Sequence, residues 1–391
     1  MKIYHLLFVL FLTFICANCS NQISAVPGFI PKPFASPRVI ESKAKISLEQ
    51  VRGVKTTETF FNLKESNSKI YFVDENNGWL IGNKNLYRTE NGGESWENVP
   101  IKVEEEAGLG NIFFVNQSVG WINIQKYGDV TGKSSKSWLI KTIDGGETWQ
   151  NLAVQNFTRI DEVKFIDEKN GWIIGSTHNP ENVYDSKQFF KKTSDGGNSW
   201  TEIGKELFEK NGKSQQMITG LIAETPENLK VVMWSGLLFK TEDAGKSWER
   251  FGPQFEFPAQ TIPDNFGKLG NSNRLRMARG TWSIEGIYSY IATEKNGDWT
   301  IRWTDEPLCI YDIIILSENE MIAIGRLGIN LYEENHREEG VIVYSSDAGE
   351  KWKTVYRNES ISNINSIAKI SENQFMAVGD RGLIINIEFE K

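Results

Sequence analysis

Thr142-Ile-Asp-Gly-Gly-Glu-Thr-Trp149 decides how this chain folds, because close copies of it return down the whole length. They read Thr89-Glu-Asn-Gly-Gly-Glu-Ser-Trp96, Thr193-Ser-Asp-Gly-Gly-Asn-Ser-Trp200, Thr241-Glu-Asp-Ala-Gly-Lys-Ser-Trp248 and Ser345-Ser-Asp-Ala-Gly-Glu-Lys-Trp352. The closing tryptophans fall 53, 51 and 48 residues apart, then 104 apart across two periods. Self-similarity at a fixed period of this size signals a repeat architecture. Each copy follows a short apolar run, such as Trp138-Leu139-Ile140 or Val341-Ile342-Val343-Tyr344. The acidic or amide residue and the glycine then suit a tight turn, one by bonding nearby N–H groups and the other by tolerating positive φ. The tryptophan supplies a large face to pack under that turn. Asn91, Asp144, Asp195, Asp243 and Asp347, with Trp96, Trp149, Trp200, Trp248 and Trp352, are thus structural positions. A row of aspartates one repeat apart cannot converge on one catalytic or metal centre.

A second phrase lies upstream of the first three copies. Phe72 is followed after five residues by Gly78-Trp79, Phe114 by Gly120-Trp121, and Phe165 by Gly171-Trp172. Two apolar runs around a polar turn predict a hairpin. With the hairpin of the first phrase this makes four strands, A to D, per repeat of about 51 residues, the size of a propeller blade. Thr293-Glu-Lys-Asn-Gly-Asp-Trp299 sits where the 104-residue gap needs a copy, one residue short and lacking its aspartate. Beyond Trp352 only three strands remain, so residues around Arg38 to Thr57 are expected to close the last blade. The predicted fold is all-β, a seven-bladed propeller of four-stranded antiparallel blades.

The turn phrase resembles the Asp box, or bacterial neuraminidase repeat, Ser/Thr-x-Asp-x-Gly-x-Thr/Ser-Trp, with Asn91 and Lys351 as departures. The chain also resembles the photosystem II stability/assembly factor family. That resemblance rests on Lys141-Thr-Ile-Asp-Gly-Gly-Glu-Thr-Trp149 and on Asp167-Glu-Lys-Asn-Gly-Trp172-Ile-Ile-Gly175. It implies an exported, non-catalytic scaffold that binds other proteins, among them membrane-protein assembly intermediates, without a cofactor. Asp-box propellers also include sialidases and other glycosidases, so a secreted glycoside hydrolase is the alternative. A sialidase needs three arginines, a tyrosine with its glutamate, and an aspartate. Here Pro37-Arg38 stands where an Arg-Ile-Pro phrase would be expected, with the proline on the wrong side.

The amino terminus reads as an export signal: residues 6–17 form an apolar run of about a dozen, too short for a confident membrane span. Cys19 follows, as a candidate lipid attachment site, with Asn18 a poor residue before it. Residues 1–19 are taken as signal peptide, 20–37 as a proline-containing linker and 38–391 as the propeller. The destination is a periplasmic, lumenal or envelope compartment. A formal charge of −8 argues against nucleic acid as a general partner. The three histidines, His5, His178 and His336, suggest no metal centre. After processing, too few cysteines remain for a disulfide framework. A monomer is expected.

Loop lengths are uneven. A–B and C–D turns share one face and are short, whereas B–C loops (125–137, 176–188, 327–340) and an insertion at 251–273 decorate the other. Binding residues gather on variable loops held by rigid frames, so the decorated face is the candidate. The insertion leads into Arg274, Arg276 and Arg279, which with Arg302 and Arg326 form a candidate partner-binding patch able to grip carboxylates or phosphates.

Overall fold

A computed structural model describes residues 39–390, apart from 62–68, 83, 105, 129–134, 153–156, 180–181, 209–216, 234–236, 253–275, 284–285, 296–297, 305–307, 328–338 and 362. Two strands, β1 (Val39–Gln50) and β2 (Val54–Phe60), precede the repeats. Blade one contains β3 (Lys69–Phe72), β4 (Gly78–Ile81), β5 (Leu86–Thr89) and β6 (Glu97–Val99). Blade two contains β7 (Ala107–Phe114), β8 (Gly120–Lys126), β9 (Lys136–Thr142) and β10 (Gln150–Asn151). Blade three contains β11 (Arg159–Phe165), β12 (Gly171–Asn179), β13 (Asn182–Thr193) and β14 (Thr201–Glu202). Blade four contains β15 (Ile218–Ala223), β16 (Leu229–Met233), β17 (Leu238–Thr241) and β18 (Glu249–Phe251). Blade five shows β19 (Arg276–Ser283), β20 (Gly286–Lys295) and β21 (Asp298–Thr304). Blade six contains β22 (Leu308–Ile315), β23 (Met321–Leu327), β24 (Glu339–Ser345) and β25 (Lys351–Asn358). Blade seven contains β26 (Ile364–Lys369), β27 (Gln374–Gly379) and β28 (Leu383–Phe389). Within each blade the sequential strands are antiparallel neighbours, which confirms the seven-bladed reading.

The amino-terminal closure differs in detail from the expectation. Blade seven is completed by β2, paired antiparallel to β28 from Val54 opposite Phe389 to Phe60 opposite Leu383. β1 goes elsewhere. Its first half runs parallel to β21, Val39 to Ala44 against Trp299 to Thr304, and its second half continues parallel to β25. It therefore welds the outer edges of blades five and six into one eight-stranded sheet. Blade five thus carries a parallel outer strand, not the purely antiparallel set expected. The expected B–C loop of blade three is a ribbon instead, β12 and β13 staying paired out to Asn179 opposite Asn182.

The cores lie between blades, and the two sequence phrases explain them. Phe72, Phe114 and Phe165 end their A strands directly opposite Gly78, Gly120 and Gly171. Each ring lies over its glycine so closely that a Cβ there would stand about 2.3–2.6 Å from ring carbons. The ring then stacks on the tryptophan of the preceding blade: Phe114 on Trp79 at 3.6 Å and Phe165 on Trp121 at 3.7 Å between centroids. The tryptophans that end the boxes pack backwards in the same way. Trp149 joins the cluster of Trp79 and Phe114, Trp248 that of Trp172 and Phe190, and Trp352 that of Ile291 in blade five. The decayed copy keeps this role, because Trp299 is buried against Ile222, Val232 and Leu238 of blade four.

Gly171→Ala is expected to lose about 1–3 kcal/mol of stability, because the new methyl must displace the Phe165 ring. In denaturant unfolding, combining it with Phe165→Leu should cost less than the sum of the two changes, the mark of direct coupling.

Candidate partner-binding surfaces

The box turns show what the repeated aspartates do. In blade two the Thr142 hydroxyl donates to Asp144 Oδ1 at 2.7 Å and accepts from the Gly146 N–H at 2.8 Å. The Thr148 N–H and hydroxyl donate to the two carboxylate oxygens at 2.9 and 2.6 Å. Asp195 and Asp243 repeat the arrangement with Thr193 and Ser199, and with Thr241 and Ser247. Asn91 reproduces it with an amide, taking the Thr89 hydroxyl and the Ser95 N–H on its oxygen and giving Nδ2–H to Ser95 Oγ. At Lys351 only the backbone bond to Asp347 remains, at 2.8 Å. Two successive residues in each turn hold positive φ, such as Gly145 at 73° and Gly146 at 100°. Alanine serves at the first of the two in Ala244 and Ala348. Each turn is also tied to the A–B turn of its own blade, as when the Gly145 N–H donates to Ser118 O at 2.8 Å.

These bonds hold the carboxyls down. Asp144 is lowered to about 2, first by the Thr148 hydroxyl and then by the Thr148 N–H. At Asp195 and Asp243 partial burial pushes upward, and the bonds led by those of Ser199 and Ser247 outweigh it, leaving both at about 2. A depressed carboxyl is already committed to its turn and is a poor proton donor for catalysis.

Two ends of the propeller can be distinguished. The box end carries the A–B turns of blades one to three around a shallow depression of about 510 Å³, lined by Val73, Asp74, the stretch Val115 to Val119, and Glu168. Its rim is cross-linked between blades, Gln117 Nε2 to Asp74 Oδ2 at 2.8 Å and Asn116 Nδ2 to Glu168 Oε1 at 3.0 Å. The opposite end carries a polar cluster on blades six and seven that sequence reasoning did not find. There the Tyr311 hydroxyl donates to Asn363 Oδ1 at 3.2 Å, and Asn363 Nδ2 donates to Asp380 Oδ2 at 2.8 Å. Asn365 Nδ2 reaches the other Asp380 oxygen at 3.3 Å. Single polar residues outside any recurring phrase gave no signal for this cluster.

The candidate arginines divide between these ends. Arg326 lies near the loop end of β23, opposite Cys309 and Gly340, with its guanidinium 5.9 Å from the Tyr311 ring centroid. Arg302 is engaged at the box end, where it pairs with Glu350 at 3.1 Å and reaches Ala348 O at 3.5 Å. Arg88 makes the equivalent reach to Gly145 O in the next blade, which marks this as a repeated inter-blade contact. Arg302 and Arg326 therefore do not share a face. Arg276 and Arg279 lie on β19, while Arg274 and Cys19 fall outside the described residues. Cys309 is a buried thiol. Among the described residues no three acidic, histidine or cysteine side chains are grouped to hold a metal, and no helix is long and apolar enough to cross a membrane.

Residues 53–158 match the family model of the photosynthesis system II assembly factor YCF48. The chain resembles that assembly-factor family. The structure described as YCF48 bound to D1 peptide superposes with a TM-score of 0.59 at 17% identity, covering 87% of this chain and 99% of that one. YCF48 from Cyanidioschyzon merolae gives 0.56 at 14% identity, covering 85% and 98%. The GH74 xyloglucanase from Xanthomonas campestris gives 0.57 at 11% identity, covering 84% of this chain and 53% of the enzyme. At these identities the likeness to solved structures is one of fold. No curated protein matches the chain by sequence.

Because Asp144, Asp195 and Asp243 are depressed in the folded state, their stabilisation is fully present above the ordinary value of 3.8 and is lost as pH falls through about 2. Asp144→Ala is expected to destabilise the propeller at pH 7 by about 1–3 kcal/mol. Asp144→Asn should retain most of the stability, as Asn91 does in its own turn. Thermal unfolding followed from pH 7 to pH 2 should show the wild type losing its advantage over the Asn variant only below about pH 4.

Proposed function

We propose that this chain is an exported, non-catalytic propeller scaffold that binds other proteins through its loop face, with membrane-protein assembly intermediates as the partner class. The family-model match over residues 53–158 carries this reading. The near full-length overlay on a YCF48 structure that holds a D1 peptide supports it at the level of fold. The turn chemistry agrees, since the repeated aspartates are spent on local hydrogen bonds. Arg276 and Arg279 on β19, with Arg326 beside Tyr311, are the proposed contacts, and Arg302 is assigned to holding blade six instead. Export is read from the apolar leader, with attachment to a membrane through a lipid on Cys19.

A second reading, a secreted glycoside hydrolase, is favoured by the overlay on the xyloglucanase. Capture of partners from a detergent extract of the host's membranes separates the two. The wild-type chain should retain specific membrane proteins, and Arg276→Glu, Arg279→Glu and Arg326→Glu combined should weaken capture by about 30-fold or more. Turnover of xyloglucan or a sialoside that disappears on a single carboxylate substitution would establish the enzyme instead.

A further inference from the structure

Outer strands are where a propeller exposes unpaired backbone, and this chain protects all but one of those described. In blades one to four they are two or three residues long, which leaves little edge to template a partner. β1 covers β21 from Trp299 to Thr304 and the first half of β25, Lys351 to Thr354. β2, the outer strand of blade seven, is seven residues long, regular and, among the described residues, paired on one side only. From Lys55 to Phe60 every residue is exposed, and Phe60 shows 48% of its surface to solvent. No bulge or proline guards the strand.

We infer that the outer edge of β2 pairs with β2 of a second copy of this chain, antiparallel about a two-fold axis through Thr57. The hydrogen-bond phase allows it. The Phe61 N–H donates to Gly382 O and the Glu390 N–H to Gly53 O, so the odd-numbered residues present their backbone groups to β28. Alternation along the strand leaves the N–H and C=O of Val54, Thr56, Glu58 and Phe60 directed outward. That set is symmetric about Thr57, as an isologous two-fold contact requires.

The side chains agree in the same register. Thr57 meets Thr57 at a close, non-hydrogen-bonded pair, and Thr56 faces Glu58. Lys55 faces Thr59, so no like charges stand directly opposite. Val54 faces Phe60 and covers the exposed ring. The contact extends the blade-seven sheet into the same sheet of the other copy. It is small, so a weak dimer is expected in place of the monomer the sequence suggested.

Sedimentation of the purified chain from about 1 to about 200 μM tests this, a range that spans the affinity of a small strand-to-strand contact. The wild type should shift from monomer to dimer within the range. Thr57→Lys and Thr57→Glu, both at an exposed position, should each remain monomeric, with association weakened by about 100-fold or more. Mixing the two variants should restore a heterodimer, because unlike charges then meet on the axis. A wild type that stays monomeric throughout, or variants that dimerise as the wild type does, would overturn the inference. So would an edge that takes up only a foreign extended segment, read as a bound peptide without self-association.

Discussion

The stacking of one blade on the next depends on aromatic rings seated in places that only glycine leaves open. Phe114 lies over Gly120 and against Trp79, and Phe165 lies over Gly171 and against Trp121. The box tryptophans of blades one to six then enter the same inter-blade spaces from the turn side. A sheet of four short strands cannot bury both faces alone, so neighbouring blades must cover each other. Two aromatic anchors at fixed positions set the spacing and angle of that cover. Removing surface of this size from water contributes the largest favourable term at each interface.

The box turn supports the anchor instead of adding chemistry. Its carboxylate or amide holds the backbone in two successive left-handed residues, and the tryptophan comes three positions after the second of them. Substitution of amide for acid at Asn91 shows that geometry, and not charge, is what this position must provide. Where the box decays, at Thr293 to Trp299, the tryptophan is retained and still buried against blade four. The neighbouring outer edge is covered by β1, which passes from β21 to β25. A strand drawn from the far end of the sequence thus reinforces the least regular blade and bonds it to the next.

This division leaves one end of the propeller uniform and the other variable. At the box end the A–B turns are cross-linked by Gln117 to Asp74 and Asn116 to Glu168, which favours a rigid rim. At the loop end, Arg326, Tyr311, Asn363 and Asp380 bring polar groups from blades six and seven together. Rigid frame and variable loops together are the usual arrangement for recognition. Arg302, which looked equivalent to Arg326 in the sequence, is instead held at the box end by Glu350 and the Ala348 carbonyl of blade six.

Seven blades, the hairpin order, the box turns and the inward tryptophans were legible in the chain because each depends on residues close in sequence and repeated at a constant interval. The same reading foresaw that an amino-terminal strand closes the ring. It could not assign Val39–Gln50 to blades five and six and Val54–Phe60 to blade seven, because strand pairing between distant segments leaves no local period. Nor could it separate Arg302 from Arg326, or find Tyr311 beside Asn363 across two blades. Local hydrogen bonding and burial write themselves into spacing. Which segment crosses to which edge, and which charged side chains meet, is decided only when the ring closes and brings distant residues within reach.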